Sequence, residues 1–409
     1  MELNRIYNEN CLDTMAKMPD GFVDLTVTSP PYGIEIADEA LKKKVLKMCD
    51  GKNGFEKTKH NFPYKWTLKD AVFTKDKGKV FSCFACGGGS TMGYKLAGFD
   101  VLGCNEIDPK MIEAYKANHN PKYAYLEPIQ TFKLRDDLPQ ELYELDILDG
   151  SPPCSSFSMA GNREKDWGKE KVFREGQAEQ VLDTLFFDFI DLAKKLQPKV
   201  VIAENVKGLL LGEAKNYVRE IYREFDLAGY YVQHWLLDAS KMGVPQKRER
   251  VFFIAMRKDI TTPFLKSIDL FTIAPELNLE FNEPEITYKE IRQTEGNESA
   301  IGLSKMISHY WKLTTPGNAL SENHPKGSYF NEVKTHPDKV LPTIRANGLP
   351  YDYEIERTLF DDETKMAGSY PLDYDFKTNK VVYLVGMSVP PVMTAQIAKQ
   401  VYEQWLSKI

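Results

Sequence analysis

The sequence predicts an α/β protein: a mostly parallel sheet with helices on both faces, a Rossmann-like arrangement. Three observations carry this. From Lys79 onward, short apolar runs alternate with longer segments whose apolar residues recur every three or four positions, as strand and helix repeats do. A glycine turn joins the first run to the segment after it, and an acid ends the next run about 20 residues later. The residues suited to chemistry follow predicted strand ends, where ligands collect in such sheets.

In order, the predicted strands are VFSCF (80–84), VLGC (101–104), LDILDG (145–150), VVIAEN (200–205) and VFFIAM (251–256). Helical spacing fills Met92 to Ala97, Pro109 to Asn118, Gln180 to Leu196 and Ala214 to Ala228. After Lys258 the period lapses, and residues 259–340 read as a separate small domain. Its charge is uneven: 260–299 holds three Lys/Arg against eight Asp/Glu, and 300–345 holds six against three. The second half is therefore the one suited to a polyanion. Residues 1–78 form a Lys-rich lead-in.

A chain of 409 residues has material for roughly two or three domains. Apolar runs such as Val200 to Ala203 fall far short of the roughly 20 residues that cross a bilayer. The N-terminus has no basic region followed by an apolar run, so no membrane and a cytoplasmic location are expected. The six cysteines, at 11, 49, 83, 86, 104 and 154, form no disulfide framework. Cys83 and Cys86 make a CxxC without a second pair, for which plain packing is the simpler reading. A net charge of −6 leaves a local basic face open and decides nothing about nucleic acid.

In FACGGGSTMGYKLAGFDVLGCNEID, Gly87, Gly88 and Gly89 lack a Cβ, which permits a sharp turn and close approach of a ligand. Glu106 ends the following strand, where a carboxylate accepts from both hydroxyls of a ribose. The unit reads as a site for a nucleoside-containing cofactor, either S-adenosylmethionine or NAD, with a glycine-rich packing turn as the plain alternative.

GSPPCSSF (150–157) sets Cys154 after two prolines, on a stiff loop beyond a strand. A lone cysteine is most simply a small buried residue, and a free thiol titrates near pH 8.5, so a nucleophile here needs partners. Those at hand are Glu204 and Asn205 in ENV, and Gln246, Arg248 and Arg250 in PQKRER. The last three alternate and share one face of an incipient strand.

From Lys79 the chain resembles the bacterial and phage DNA cytosine-C5 methyltransferases. The resemblance rests on FACGGGSTMG, NEIDP, GSPPCSSFSMAG, ENVKGLL, LLDASKMGVPQKRER, LPTIRANG (341–348) and VGMSVPPVMTAQIA (385–398), in that order along about 330 residues. It implies a catalytic domain at 79–258, a smaller target-recognition domain at 259–340, and a segment at 341–409 returning to the catalytic domain. Cys154 is then the nucleophile toward C6 of a flipped cytosine in double-stranded DNA. Glu204 acts at N3, with Asn205 supporting the loop. Arg248, with Gln246 and Arg250, binds the base carbonyl. The implied cofactor is S-adenosylmethionine, held by Phe84, Ala85, Cys86, Gly87, Gly88, Gly89, Glu106, Ile107, Pro152, Leu185 and Ser388. Ala160 to Gln177 closes over DNA, and Pro342, Thr343 and Arg345 anchor the recognition domain. A monomer is expected, with a cognate restriction endonuclease as partner.

The chain departs from the pattern at several places. Ser82 stands where an aspartate is expected, Cys86 where a glycine is, Pro128 where an acid is, Ser155 where a glutamine often follows the nucleophile, and Met387 where an asparagine is. The opening IYNENCLDTMAKMPDGFVDLTVTSPPYG resembles a second family, the DNA amino-methyltransferases of adenine N6 and cytosine N4. There Ser29, Pro30, Pro31 and Tyr32 fit the tetrapeptide that holds an exocyclic amine. An amino-methyltransferase, a DNA-binding regulator without chemistry and an NAD-dependent dehydrogenase are the competing functions.

Overall fold

The computed structural model describes residues 60–153, 184–211, 214–265, 274–295, 300–329 and 331–409, and the backbone of Glu170–Lys171 and Gln180–Val181. The SPPY segment Ser29–Tyr32, Cys154, Ser155 and most of the 160–177 loop lie outside these residues.

Seven strands form one sheet: β1 (Lys79–Cys83), β2 (Asp100–Glu106), β3 (Tyr123–Leu126), β4 (Ile147–Gly150), β5 (Val200–Val206), β6 (Tyr230–Asp238) and β7 (Glu249–Arg257). Their order is β3-β2-β1-β4-β5-β7-β6. β1 to β5 pair in parallel, whereas β7 runs antiparallel between β5 and β6. All five expected runs are strands. The two that were not expected, β3 and β6, are the sheet's edges. Their half-exposed residues break the continuous apolar run that marks a strand buried on both faces.

The helices that follow strands are α1 (Gly89–Leu96), α2 (Pro109–His119), α3 (Leu185–Leu196) and α4 (Ala214–Leu227). The Asp108 carboxylate caps α2, accepting from the amides of Lys110 and Met111, and Pro109 occupies the first turn, where a missing N–H costs nothing. Successive strand residues point to opposite faces, so each interior strand feeds two cores. Phe81, Leu148, Val201 and Phe253 meet Phe186 and Phe189 of α3 on one face. Val80, Ile147, Ile202 and Phe252 meet the C-terminal segment on the other.

That segment holds α8 (Pro391–Gln404), which lies against α1; α5 (Lys305–Leu313), α6 (Asp361–Ala367) and α7 (Val381–Met387) precede it in chain order. Val381–Lys408 has the length and hydropathy of a membrane span, but 72% of its most apolar window is buried inside the protein. Its apolar surface is taken up by the core. α1 and α8 touch closely: a Cβ on Gly93 would sit 2.3 Å from the Pro391 carbonyl oxygen and 2.6 Å from Thr394 Cβ.

The main body reaches beyond the expected boundaries. Trp66 is 3% exposed and donates to the Ser369 carbonyl. Leu277 and Leu279 pack under the sheet, and Ile286, Tyr288 and Ile291 pack with Leu341, Ile344 and Tyr370. A satellite core forms later, around Trp311, Leu320 and Tyr351. Beside it, Asp352 and Glu363 are fully buried among Arg292, Arg357 and Tyr288.

Gly93→Ala is expected to wedge α8 from α1 and to lower unfolding stability by about 2 kcal/mol, the cost of overpacking a tight contact; urea unfolding measures it.

Candidate active site

β1 ends in a turn that three positive φ values make sharp: Phe84 at 51°, Cys86 at 51° and Gly88 at 94°. Only glycine is at ease there, and a Cβ on Gly88 would also fall 2.1 Å from His119 Nε2. The Glu106 carboxylate holds the turn. It accepts from the amide of Cys86 at 2.7 Å, from Ile107 at 2.8 Å and from Asp108 at 2.9 Å. Burial pushes this carboxyl above the ordinary range, and the three N–H donors oppose that.

The turn opens onto a cleft of about 800 Å³, part of it open solvent. Of the residues expected to hold a cofactor, Phe84, Ala85, Cys86, Gly89, Glu106, Ile107 and Ser388 line it. Gly87 and Gly88 are not in its lining. Pro152 is not in the lining, but its neighbours Ser151 and Pro153 are. Leu185 is wholly buried with α3 in the core. Sequence reasoning missed Ser90, Asp108, Met111, Tyr383 and Val389; Asp108 stands in NEIDP beside Glu106 and Val389 in VGMSVPP beside Ser388, but Tyr383 carries no such signal.

Two of the turn glycines serve a purpose other than the one expected. A Cβ on Gly87 would meet Leu384 Cδ1 at 2.2 Å, and one on Gly89 would meet Tyr370 Oη and the Val389 carbonyl at 2.5 Å. Their bareness admits the C-terminal wall rather than only a ligand. The CxxC cysteines part company: Cys83 faces the core, while Cys86 lines the cleft near Met111. Burial pushes the Cys86 thiol up to about 12, so it is neutral at physiological pH.

At the end of β5, Glu204 pairs with Arg250, Oε1 to Nε, at 2.9 Å. Glu204 lies opposite Phe252 and Arg250 opposite Val206, so the pair is a diagonal cross-strand contact. Asn205 donates to the Pro152 carbonyl at 3.2 Å and accepts from the Val206 amide. It thereby ties this strand end to the Pro-Pro segment that precedes Cys154.

Gln246 and Arg248 precede β7 and Arg250 lies within it, and different neighbours cover the three. Gln246 is fully buried; it donates to the Ala367 carbonyl and accepts from the Ile344 amide. Arg248 is 2% exposed and donates to the carbonyls of Ile344 at 3.2 Å and of Gly386 and Ser388 at 2.9 Å. The expectation that Arg248 and Gln246 contact a base carbonyl is corrected accordingly, because alternation sets a face and not what packs upon it. Burial, then the nearby Arg250, pulls the Arg248 guanidinium down to about 9, leaving it charged at neutral pH.

Residues 78–403 match the C-5 cytosine-specific DNA methylase family. The chain belongs to that family. This methylase-family chain is similar to the Type II methyltransferase M.FnuDI of Fusobacterium nucleatum, 36% identical over 182 residues, 44% of this chain and 48% of that protein. That match spans about half the relative's length, as does the match to M.NgoPII of Neisseria gonorrhoeae, at 50% of its length. Similarity to the Type II methyltransferase M1.HphI of Haemophilus parahaemolyticus runs further, at 31% identity over 336 residues, 78% of this chain and 85% of that one. In fold it resembles a mutant of Spodoptera frugiperda DNMT2, with a TM-score of 0.54 and 18% identity over 79% of this chain and 99% of that one. The family match begins after the Trp66 segment that packs into the same body.

Arg248→Lys keeps the charge but loses the planar fork. It is expected to cost roughly 1.5–3 kcal/mol, the worth of a charged hydrogen bond, and to speed amide exchange at residues 384–389; calorimetry and exchange mass spectrometry measure the two effects.

Proposed function

We propose that this chain is a DNA cytosine-C5 methyltransferase that transfers a methyl group from S-adenosylmethionine to C5 of a cytosine flipped out of a specific duplex sequence. The observation that carries the reading is the meeting of three strand ends. Beside the Glu204–Arg250 pair, Asn205 is tied to Pro152, and Pro153, the residue that precedes Cys154 in the chain, lines the cleft.

The chemistry requires these groups. C5 of cytosine is too weak a nucleophile to take a methyl group, so the Cys154 thiolate adds to C6 and C5 becomes enamine-like. Glu204, carrying a proton on its free oxygen, donates it to N3 and stabilises that adduct. Arg250, already paired with Glu204, holds the carboxyl in place and reaches the base carbonyl, the role first expected of Arg248. The bound cofactor supplies an electrophilic methyl on a sulfonium. After C5 is methylated, a base removes its proton, the C6–S bond breaks, and the thiolate is restored. Unstacking the base costs a few kcal/mol, which protein contacts offset.

The cleft suits the cofactor. Glu106 Oε1 accepts two main-chain N–H bonds and Oε2 one, which leaves Oε2 one acceptor site for a ribose hydroxyl. Phe84 and Ile107 offer apolar surface to adenine, and Cys86, Gly89 and Ser388 flank the methionine end. Target recognition falls to residues 300–358, around the satellite core, with Arg345 joined to the Asn331 carbonyl. The protein acts as a monomer in the cytoplasm. The Type II names of M.FnuDI and M1.HphI support a restriction-modification setting with a cognate endonuclease, and Ser29–Tyr32 serves as an accessory DNA-contacting arm.

Mass spectrometry of nucleosides from DNA treated with the protein and labelled S-adenosylmethionine is expected to find 5-methylcytosine; labelled N4-methylcytosine or N6-methyladenine instead would overturn the reading. Cys154→Ala is expected to abolish transfer and keep DNA binding, and a 5-fluorocytosine duplex to trap a covalent complex with the unaltered protein. Arg250→Ala is expected to lower kcat by about 10²–10³, the usual cost of losing a charge-stabilising donor, as single-turnover kinetics measure.

A further inference from the structure

Ser82 of β1 and Asp149 of β4 are register partners in parallel strands and share the face of Val80 and Ile147, toward α1. Asp149 is 4% exposed. One of its oxygens accepts from the Ser82 hydroxyl at 2.6 Å and the Ser90 hydroxyl at 2.8 Å, and the other from the Tyr94 hydroxyl at 3.0 Å. All three donors are neutral, and no ion pair reaches Asp149 among the described residues. A buried carboxylate without a counter-ion is costly, and this one is one hydroxyl away from the cleft that Ser90 lines. With its proton directed at Asp149, the Ser90 oxygen turns only lone pairs to the cleft. It is built to accept from, or lie against, a cation.

We propose that Asp149, acting through Ser90, is the buried counter-charge for the cationic end of bound S-adenosylmethionine, and that cofactor affinity therefore falls in mild acid. Asp149 is a positioning residue, and the inference rests on the cofactor reading above. The titratable groups facing it are Cys83 from β1, Tyr94 from α1, Tyr115 from α2 and Glu204 from β5. Burial holds the thiol and both phenols neutral, and Glu204 is engaged by Arg250. Burial pushes the Asp149 carboxyl up to about 6, against the pull of its hydroxyl donors. A bound cation favours the ionised form. Affinity is therefore complete above this value and is lost as pH falls through it.

Titration calorimetry with S-adenosylmethionine on the full chain tests this. The Kd is expected to rise about fivefold between about pH 7.5 and pH 5 and to approach a tenfold rise below that, the effect of a one-unit pKa drop on binding. Asp149→Asn is expected to bind about tenfold more weakly near neutral pH and to lose the pH dependence, while circular dichroism reports its fold. Ser82→Asp combined with Asp149→Ser moves the carboxylate across the strand pair and is expected to restore both. Asp149→Asn with unchanged affinity, or with the wild-type pH dependence, overturns the proposal. If that variant does not fold, Ser90→Ala decides: weaker, pH-independent binding supports the relay, and unchanged binding overturns it. Wild-type protein that binds no S-adenosylmethionine at any pH overturns the functional reading itself, and this inference with it.

Discussion

The cleft depends on a single buried guanidinium. Arg248 gathers the carbonyls of Ile344, Gly386 and Ser388, which belong to a segment about a hundred residues and more further along the chain. Those carbonyls would otherwise be buried acceptors with weak partners. The fork satisfies them and fixes the path of the wall that brings Tyr383, Met387, Ser388 and Val389 to the cleft. The bare glycines of the turn complete the arrangement from the opposite side, since Leu384 and Val389 occupy the space that side chains at 87 and 89 would need.

Three acids at the carboxyl edge of the sheet are each handled differently, and their partners suit different work. Glu106 is held by three main-chain N–H groups, which shape a turn and leave one acceptor site for a hydroxyl. Asp149 is held by three hydroxyls, which carry no charge to neutralise it and so leave its field directed at the cleft. Glu204 is held by Arg250, an ionic partner that keeps it oriented beside the segment leading to Cys154. The fold supplies one edge where all three converge, and the partner of each sets its chemistry.

Legibility in the sequence followed burial. Interior strands were plain because both faces are apolar; the edge strands β3 and β6 were not, because half of each is wet. The domain boundaries were blurred for a related reason. Trp66 and the 277–291 stretch contribute isolated apolar residues to a core assembled elsewhere, and no local period announces that.

By itself, the sequence determined the order of the chemistry along the chain: a glycine turn, an acid after the next strand, Cys154 after two prolines, Glu204 at a strand end, and an alternating basic strand. These are local, since strand ends and turns are set by neighbouring residues. Only the tertiary structure decided which partners each basic residue meets. Arg248 and Arg250 are two positions apart in one alternating run, and nothing local separates them. The first is covered by the returning C-terminal segment and the second by Glu204 across a strand pair, because what packs upon a face is a long-range contact.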